Sequence, residues 1–468
     1  MTGSPTTTRA GSPTASVAAG RRARWGLGLG LVVVAASMLV PPLVGVDVGA
    51  GSAAPLLGDW ALRAGPTSVI AVALVAASAW PGLRGRVQRM AWGRLLVSSW
   101  LVAVVWMASL ALVDGPAGLG LILDDPAEYL QAARQIDDVG ELLRTYISRI
   151  PLDSAGNWPV HLAGHPPGAV LMFVGLDRLG LGAWPAVGSV VVAVAATVPA
   201  AVAVTLDRLG ARDAARTVLP VLVLGPSAVL MAVSADAVFA ATAAWGMAAL
   251  AAAGAATGRA RRTGLALVSG LLLGWCLMES YGLGLVALLA LAVLVATRGG
   301  RRDRVVVGAV SAATALAVVL AFAPLGYAWW EAYPVLHERY WAGFANRRPA
   351  WFWVFGNLGA LVLMAGLLLP AALGAASVPV ARLRSAAGRA AAAGWERAVA
   401  PLVLAGVAMV AVADLSMMSK AEVERIWLPF VPWLLLATLW LPPRWQRWGL
   451  VGQGVLAVTL QHLVHTVW

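Results

Sequence analysis

The feature that most constrains this chain is the repetition, from about residue 25 to its end, of apolar runs close to twenty residues long. A helix needs about 20 apolar residues to cross the hydrocarbon core of a bilayer. The runs fall at 25–45, 66–83, 93–113, 184–206, 216–232, 235–254, 263–278, 281–297, 305–325, 350–376, 398–413, 426–441 and 448–466. No stretch reads convincingly as a strand. The expected fold class is therefore all-α: a polytopic membrane protein of about 13 transmembrane helices with external juxtamembrane helices. Composition agrees, with 60% of the 468 residues hydrophobic and 12% charged, about half the charged fraction of a soluble domain. One cysteine, Cys276, excludes a disulfide scaffold.

The net charge of +12 would point to nucleic acid in a soluble protein, but the arginines sit where a bilayer orients a chain. The first 24 residues and the links 84–94, 207–216, 258–263, 298–304, 382–397 and 444–447 carry 24 of the 34 basic residues and four of the 22 acidic ones. With thirteen spans all of these fall on one side, which the positive-inside rule makes cytoplasmic. The other face keeps ten basic and 18 acidic residues. Residues 1–24, rich in Ser, Thr, Gly, Ala and Pro, read as a disordered cytoplasmic tail, and 25–468 as a single transmembrane domain. Within that domain 114–183, 326–349 and 414–426 are external, as is the C-terminus. Nucleic acid is not an expected partner; membrane lipids are.

The external segment 114–183 carries the densest chemistry. Asp124 and Asp125 stand where the third span ends, and two adjacent carboxylates call for a cation, an arginine or a raised pKa nearby. Asp125, with Pro126 after it and Glu128 three residues on, reads as a helix N-cap; Asp124 has no such local duty. From Leu130 the apolar positions Ala133, Ile136, Val139, Leu143, Tyr146, Ile147 and Ile150 follow helical spacing, which predicts an amphipathic helix on the outer membrane surface. In Asn157–Gly168 the prolines Pro159, Pro166 and Pro167 argue against a zinc pair of His161 and His165 on one helix face. A rigid turn delivering His165 to a cavity is the better reading. The apolar stretch 166–180, broken by Asp177 and Arg178, reads as a juxtamembrane helix in the outer interface.

A carboxylate pair after an early span, an interfacial helix with a Tyr, then a basic residue before Pro-Pro resembles the polyprenyl-phosphate-dependent glycosyltransferases of the GT-C superfamily. That group contains protein O-mannosyltransferases and aminoarabinose transferases. Its pattern D-E-x-x-Y, followed by K-P-P-L, stands here as Asp124-Asp125-Pro126-Ala127-Glu128-Tyr129 and His165-Pro166-Pro167-Gly168. Gly225-Pro226 followed by Ser234-Ala235-Asp236 matches a further acidic position. The resemblance covers about 114–240. His165 replaces the family's Lys, Gly164 stands where some members have Glu, and two additional spans precede the acidic pair. The Tyr spacing fits from Asp125 and is one residue long from Asp124, so either aspartate can be the base.

The resemblance implies transfer of a sugar from a polyprenyl-phosphate carrier to a hydroxyl-bearing glycan, lipid or protein acceptor at the outer face. Asp124 or Asp125 acts as general base, with inversion at the anomeric centre; such enzymes often build cell-envelope glycans. The lipid phosphate leaves and needs fixed positive charge. His337, Arg339, Arg347 and Arg348, among six Trp/Tyr residues in 326–349, are candidates, and so are Lys420 and Arg425 beside Glu422 and Glu424. The same residues also fit an interfacial aromatic belt with snorkelling arginines. Glu279 reads as a solvated turn, and His462 and His465 as structural. No metal site is assigned, although Asp124, Asp125 and Asp236 could hold a divalent cation. The alternative class is a transporter or lipid-carrier flippase, which would place Asp236, Glu279 and Asp414 around a midplane cavity.

Overall fold

A computed structural model describes residues 13–466 of the chain. Helix α1 (Pro13–Val44) begins inside the stretch read as a tail, and residues 1–12 of that stretch lie outside the described residues. There follow α2 (Ser68–Ser78), α3 (Leu83–Arg89) and α4 (Trp92–Ala111). Four short helices come next: α5 (Leu130–Ala133), α6 (Val139–Thr145), α7 (Val160–Gly164) and α8 (Pro167–Leu176). The bundle continues through α9 (Trp184–Ala195), α10 (Val198–Arg208), α11 (Arg212–Val223), α12 (Ala228–Met231), α13 (Ala235–Ala255), α14 (Arg259–Glu279), α15 (Val286–Ala296) and α16 (Arg301–Phe322). After α17 (Trp329–Ala342) come α18 (Ala350–Ala365), α19 (Leu368–Arg382), α20 (Ala386–Ala391) and α21 (Gly394–Leu415). The chain closes with α22 (Val423–Ile426), α23 (Val431–Leu435) and α24 (Pro443–Leu463). Two three-residue strands, β1 (Gly58–Trp60) and β2 (Val464–Thr466), pair antiparallel and tie the end of α24 to the link after α1.

Among the described residues seven helices are long and apolar enough to cross a membrane: 16–44, 92–114, 184–208, 235–255, 259–279, 301–325 and 394–415. The number rises to nine if the bent pairs α2–α3 (82°) and α18–α19 (101°) each count as one span. The remaining expected spans fall short for local reasons. Gly225-Pro226 separates α11 from α12, and the run 426–441 is divided between short helical pieces around Pro432. Helix α24 carries Arg444, Gln446, Arg447, Gln453, Gln461 and His462, which lower its apolarity. The shorter apolar segment 281–296 nevertheless joins the same two ends as its neighbours, and 431–440 reaches one of them. Tyr281 meets Tyr327 at one end, while Arg298 reaches the Gly210 carbonyl and Trp440 meets Glu396 at the other.

Close helix contacts rest on small residues, as expected where no hydrophobic gain separates helix from lipid. A Cβ on Gly270 of α14 would lie 2.5 Å from the Ser311 carbonyl oxygen of α16. The α18–α19 break is held open by Gly366 at φ +89°, a left-handed conformation that suits glycine. The backbone groups it frees are satisfied by Gln453 of α24, whose Nε2 donates to Ala365 O at 2.7 Å and whose Oε1 accepts from Leu368 N at 3.3 Å.

The bundle has two chemically distinct ends. Arg208, Arg212, Arg216, Arg259–Arg262, Arg298–Arg304 and Arg382–Arg397 collect at one, the arginine end. Asp236, at the start of α13, and Glu279 and Asp414, at the ends of α14 and α21, collect at the other with the short helices of 114–183.

Candidate functional site

Residues 114–183 fold as a cap over the carboxylate end, but not as the single amphipathic helix that the apolar spacing predicts. The Asp138 side chain accepts from Gly140 N and starts α6 afresh, so α5 and α6 are separate. The apolar positions keep their role: Leu130, Ala133, Leu143, Tyr146 and Ile150 are all buried. Asp125 Oδ1 accepts from Ala127 N at 2.8 Å, and Glu128 N donates to Asp125 O at 2.9 Å, closing a turn rather than capping a long helix. That turn divides the acidic run. Asp124 and Asp125 face outward, whereas Glu128 and Tyr129 are driven into the protein.

Tyr129 stacks on Phe173 of α8 with 5.2 Å between ring centroids. Helix α8, ten residues and about 15 Å long, is too short to span. It buries Val170, Phe173 and Val174, and a Cβ on Gly168 would meet the Met278 carbonyl oxygen of α14 at 2.4 Å. The Pro-Pro step places His165 in extended conformation before α8 starts. Its Nδ1 lies 2.9 Å from the Glu279 carbonyl, to which it donates, and desolvation pushes the imidazole pKa down.

Beneath the turn lies a buried ionic cluster drawn from three distant parts of the chain. The Arg425 guanidinium is 3.2 Å from Asp236, 3.6 Å from Glu128 and 3.6 Å from Glu422. His161 lies between Arg425 (Nε2, 3.2 Å) and Glu128 (Nδ1, 2.9 Å). An arginine only donates, so Nε2 accepts, the ring proton sits on Nδ1 and is given to Glu128. Burial alone would raise the Glu128 carboxyl; the His161 hydrogen bond and the charge of Arg425 hold it below the usual range. Burial alone would lower Arg425, but Asp236, Glu128 and Glu422 keep it firmly protonated. Glu422 also pairs with Arg348 at 3.0 Å. Glu128 Oε2 and the Tyr129 hydroxyl have no hydrogen-bond partner among the described residues.

The loop carrying Arg425 is held in a strained backbone. Met417, Ala421 and Glu422 all have φ between 54° and 68°, a region costing about 1–2 kcal/mol per non-glycine residue. Side chains from elsewhere pin it: Arg348 donates to Lys420 O (2.7 Å), Tyr340 accepts from Lys420 N (3.0 Å), and Asn357 accepts from Ala421 N (3.3 Å). Asn357 also donates to Asp414 at 2.9 Å.

On the outer side of the same turn is a cavity of about 480 Å³ whose wall includes Arg63, Asp114, Asp124, Asp125, Gln461 and His465. Pro126, Val229, Ala232 and Val233 are also part of that wall. The segments that line it are therefore those that bear Glu128 and Asp236 a few residues further on. Asp124 is tied to Arg134 at 2.8 Å, Arg63 pairs with Asp114, and Asp125 has only its turn bond.

Of the other residues expected to matter, the structure brings Asp236, His165, Arg348, Lys420 and Arg425 together around the cluster. Arg425 is not a free phosphate ligand: its charge is taken up by carboxylates. Lys420 is buried with its Nζ 4.4 Å from the Trp341 ring. Glu424 is turned away, accepting from Leu57 N at 2.9 Å, and burial pushes its pKa up to about 7. Arg339 is spent on the carbonyls of Ile150 and Trp158, and His337 accepts from Trp341. Arg347 is exposed and makes no ion pair among the described residues. Glu279, expected as a solvated turn, is 1% exposed and accepts from Thr242 at 3.0 Å. Glu128, His161, Glu422 and Arg63 were not singled out from sequence as site residues. Among the described residues no three His, Cys, Asp or Glu side chains are arranged to hold a metal ion; Asp236 faces Arg425, away from Asp124 and Asp125. No protein-family model matches the chain, and no curated protein matches it in sequence.

Proposed function

We propose that the protein is a membrane glycosyltransferase that moves a sugar from a polyprenyl-phosphate carrier to a hydroxyl acceptor, with the arginine end cytoplasmic and the carboxylate end external. One observation carries this reading. The Asp124–Tyr129 and His161–His165 motifs, about 35 residues apart, fold against Asp236 beside a cavity of about 480 Å³ into which Asp125 projects. That volume lies within the 300–1,000 Å³ usual for small-molecule sites. Asp125, which makes no ion pair among the described residues, is the general base for the acceptor hydroxyl; Asp124, clamped by Arg134, shapes the wall. Arg63, on the same wall, is the cation nearest to hand for the leaving phosphate, which would share it with Asp114. The ionic cluster behind the wall fixes the positions of these groups.

A transporter is less well supported, because Asp236, Glu279 and Asp414 stand in the first or last turns of their helices. The test is transfer from a radiolabelled polyprenyl-phosphate hexose by protein reconstituted in nanodiscs. Asp125→Asn is expected to lose about 10²–10⁴-fold, the usual contribution of a general base, and Asp124→Asn much less. Full activity in both variants would sink the assignment.

A further inference from the structure

A second concave site lies at the opposite, arginine end. A groove of about 680 Å³ runs between α19 and α21, with Arg384, Arg389 and Arg397 at its rim. Its walls are apolar, among them Val295, Leu373, Val380, Leu404 and Val407. Val295, Leu404 and Val407 are 57%, 51% and 41% exposed, so the apolar part opens sideways on the surface that faces lipid. No acidic residue lines it. The nearest in sequence, Glu396, is engaged elsewhere, accepting from Ala393 N at 2.8 Å and from Trp440 Nε1 at 3.0 Å.

The rim is built rather than incidental. Arg389 Nη1 donates to both Leu383 O and Arg384 O at 2.9 Å, and Arg397 Nη1 donates to Arg389 O at 3.2 Å, linking the three positions in a row. Ser385 caps the short helix α20, which carries Arg389 between Arg384 and Arg397 of α21. Each guanidinium has five N–H donors, so most remain for a ligand. Arg384 has no side-chain partner among the described residues.

We propose that this groove binds an anionic phospholipid, its phosphate headgroup on Arg384, Arg389 and Arg397 and the start of one acyl chain along Val380, Leu404 and Val407. Charge complementarity selects the anion, and the apolar walls select a lipid over a free phosphate. The site is independent of the transferase reading and stands whether or not that reading holds.

The experiment is native mass spectrometry of the full-length protein in detergent. It is titrated separately with dioleoyl phosphatidylglycerol, dioleoyl phosphatidylcholine and inorganic phosphate. Phosphatidylglycerol is expected to bind most tightly. Arg384→Gln should weaken it about fivefold, the contribution of one arginine near an anionic headgroup. Arg384→Lys should keep most of the affinity, and Arg301→Gln, at the same end but off the groove, should change nothing. Arg384 makes no side-chain hydrogen bond or ion pair among the described residues, so its variants are expected to fold as the wild type does; an unchanged melting temperature without lipid checks this. Equal binding of phosphatidylcholine, inorganic phosphate binding as tightly as the lipid, or an unaffected Arg384→Gln variant would each overturn the proposal.

Discussion

Replacing Arg425 by Leu removes the guanidinium that faces both Glu128 and Asp236. The two carboxylates are 5% and 3% exposed, and each reaches the guanidinium within 3.6 Å. Glu422 would keep Arg348 at 3.0 Å, so the deficit is confined to two buried charges. His161 would retain its bond to Glu128 but lose the donor that fixes its tautomer. Stripping one partner from a buried ion pair costs about 3–5 kcal/mol, because the other charge is left without compensation. Unfolding entropy of about 2.1 cal/mol/K per residue turns this into a loss of roughly 3–5 °C in Tm for a chain of 468 residues. Intrinsic fluorescence, for which buried Trp427 is well placed beside the cluster, can follow the transition in detergent. The pH dependence tests the mechanism. In the wild type Glu128 is held below its usual range, so it contributes stability above its unfolded pKa and loses it as pH falls through the folded value. In the variant the same carboxyl is no longer depressed, and protonation relieves the unpaired charge. The gap between the two proteins should therefore narrow from neutral pH towards about pH 5. Adding Asp236→Asn and Glu128→Gln to Arg425→Leu should recover most of the loss. A deficit that is independent of pH, or unrescued by neutralising the carboxylates, would refute the electrostatic account and leave only lost packing.

Glu424 gives the opposite sign. Its pKa is raised from 4.5 to about 7, so ionising it in the folded state is unfavourable and stability should fall as pH rises between those values. Glu424→Gln keeps an acceptor for Leu57 N and should flatten that part of the Tm profile; a wild-type profile already flat there would contradict the raised value. Gly168→Ala would set a Cβ 2.4 Å from the Met278 carbonyl oxygen, push α8 off α14 and cost about 1–3 kcal/mol, read as a lower Tm with transfer activity reduced through displaced His165. At the cavity, Asp125→Asn should abolish transfer while leaving Tm within about 1 °C, since an exposed surface substitution is usually worth less than 0.5 kcal/mol; a large Tm loss would mean that its turn bond, not proton transfer, is what matters.

Much of the architecture was legible because bilayer length and arginine placement are strong, local signals. The long runs at 93–113, 235–254, 263–278, 305–325 and 398–413 lie inside helices with close to those bounds. What local reading could not supply was continuity. The 130–150 spacing is compatible with one helix, yet Asp138 restarts it, and a capping side chain decides that only once the preceding turn is known. The bend at Gly366 is stabilised by Gln453, nearly ninety residues away.

The residues of the candidate site could be picked out from sequence but not which of them pair, and the reason is the turn at Asp125. Residues three apart face the same way on a helix, so a helix starting at Asp125 would have kept the acidic run together. Instead, the Asp125–Ala127 and Glu128–Asp125 bonds reverse the chain within four residues, sending Asp125 to the cavity and Glu128 to Arg425. Arg425 and Asp236 are 189 positions apart, and nothing in either neighbourhood names the other. Only the global condition that buried charges be compensated connects them. With Arg425 of SKAEVERIW buried, that condition requires carboxylates around it, and Glu422, Asp236 and Glu128 supply them. A phosphate arriving at Arg425 would have to displace carboxylates buried with it, whereas Arg63, although paired with Asp114 and bonded to the Gln461 and Val464 carbonyls, lines the open cavity wall, which favours it for the proposed leaving group.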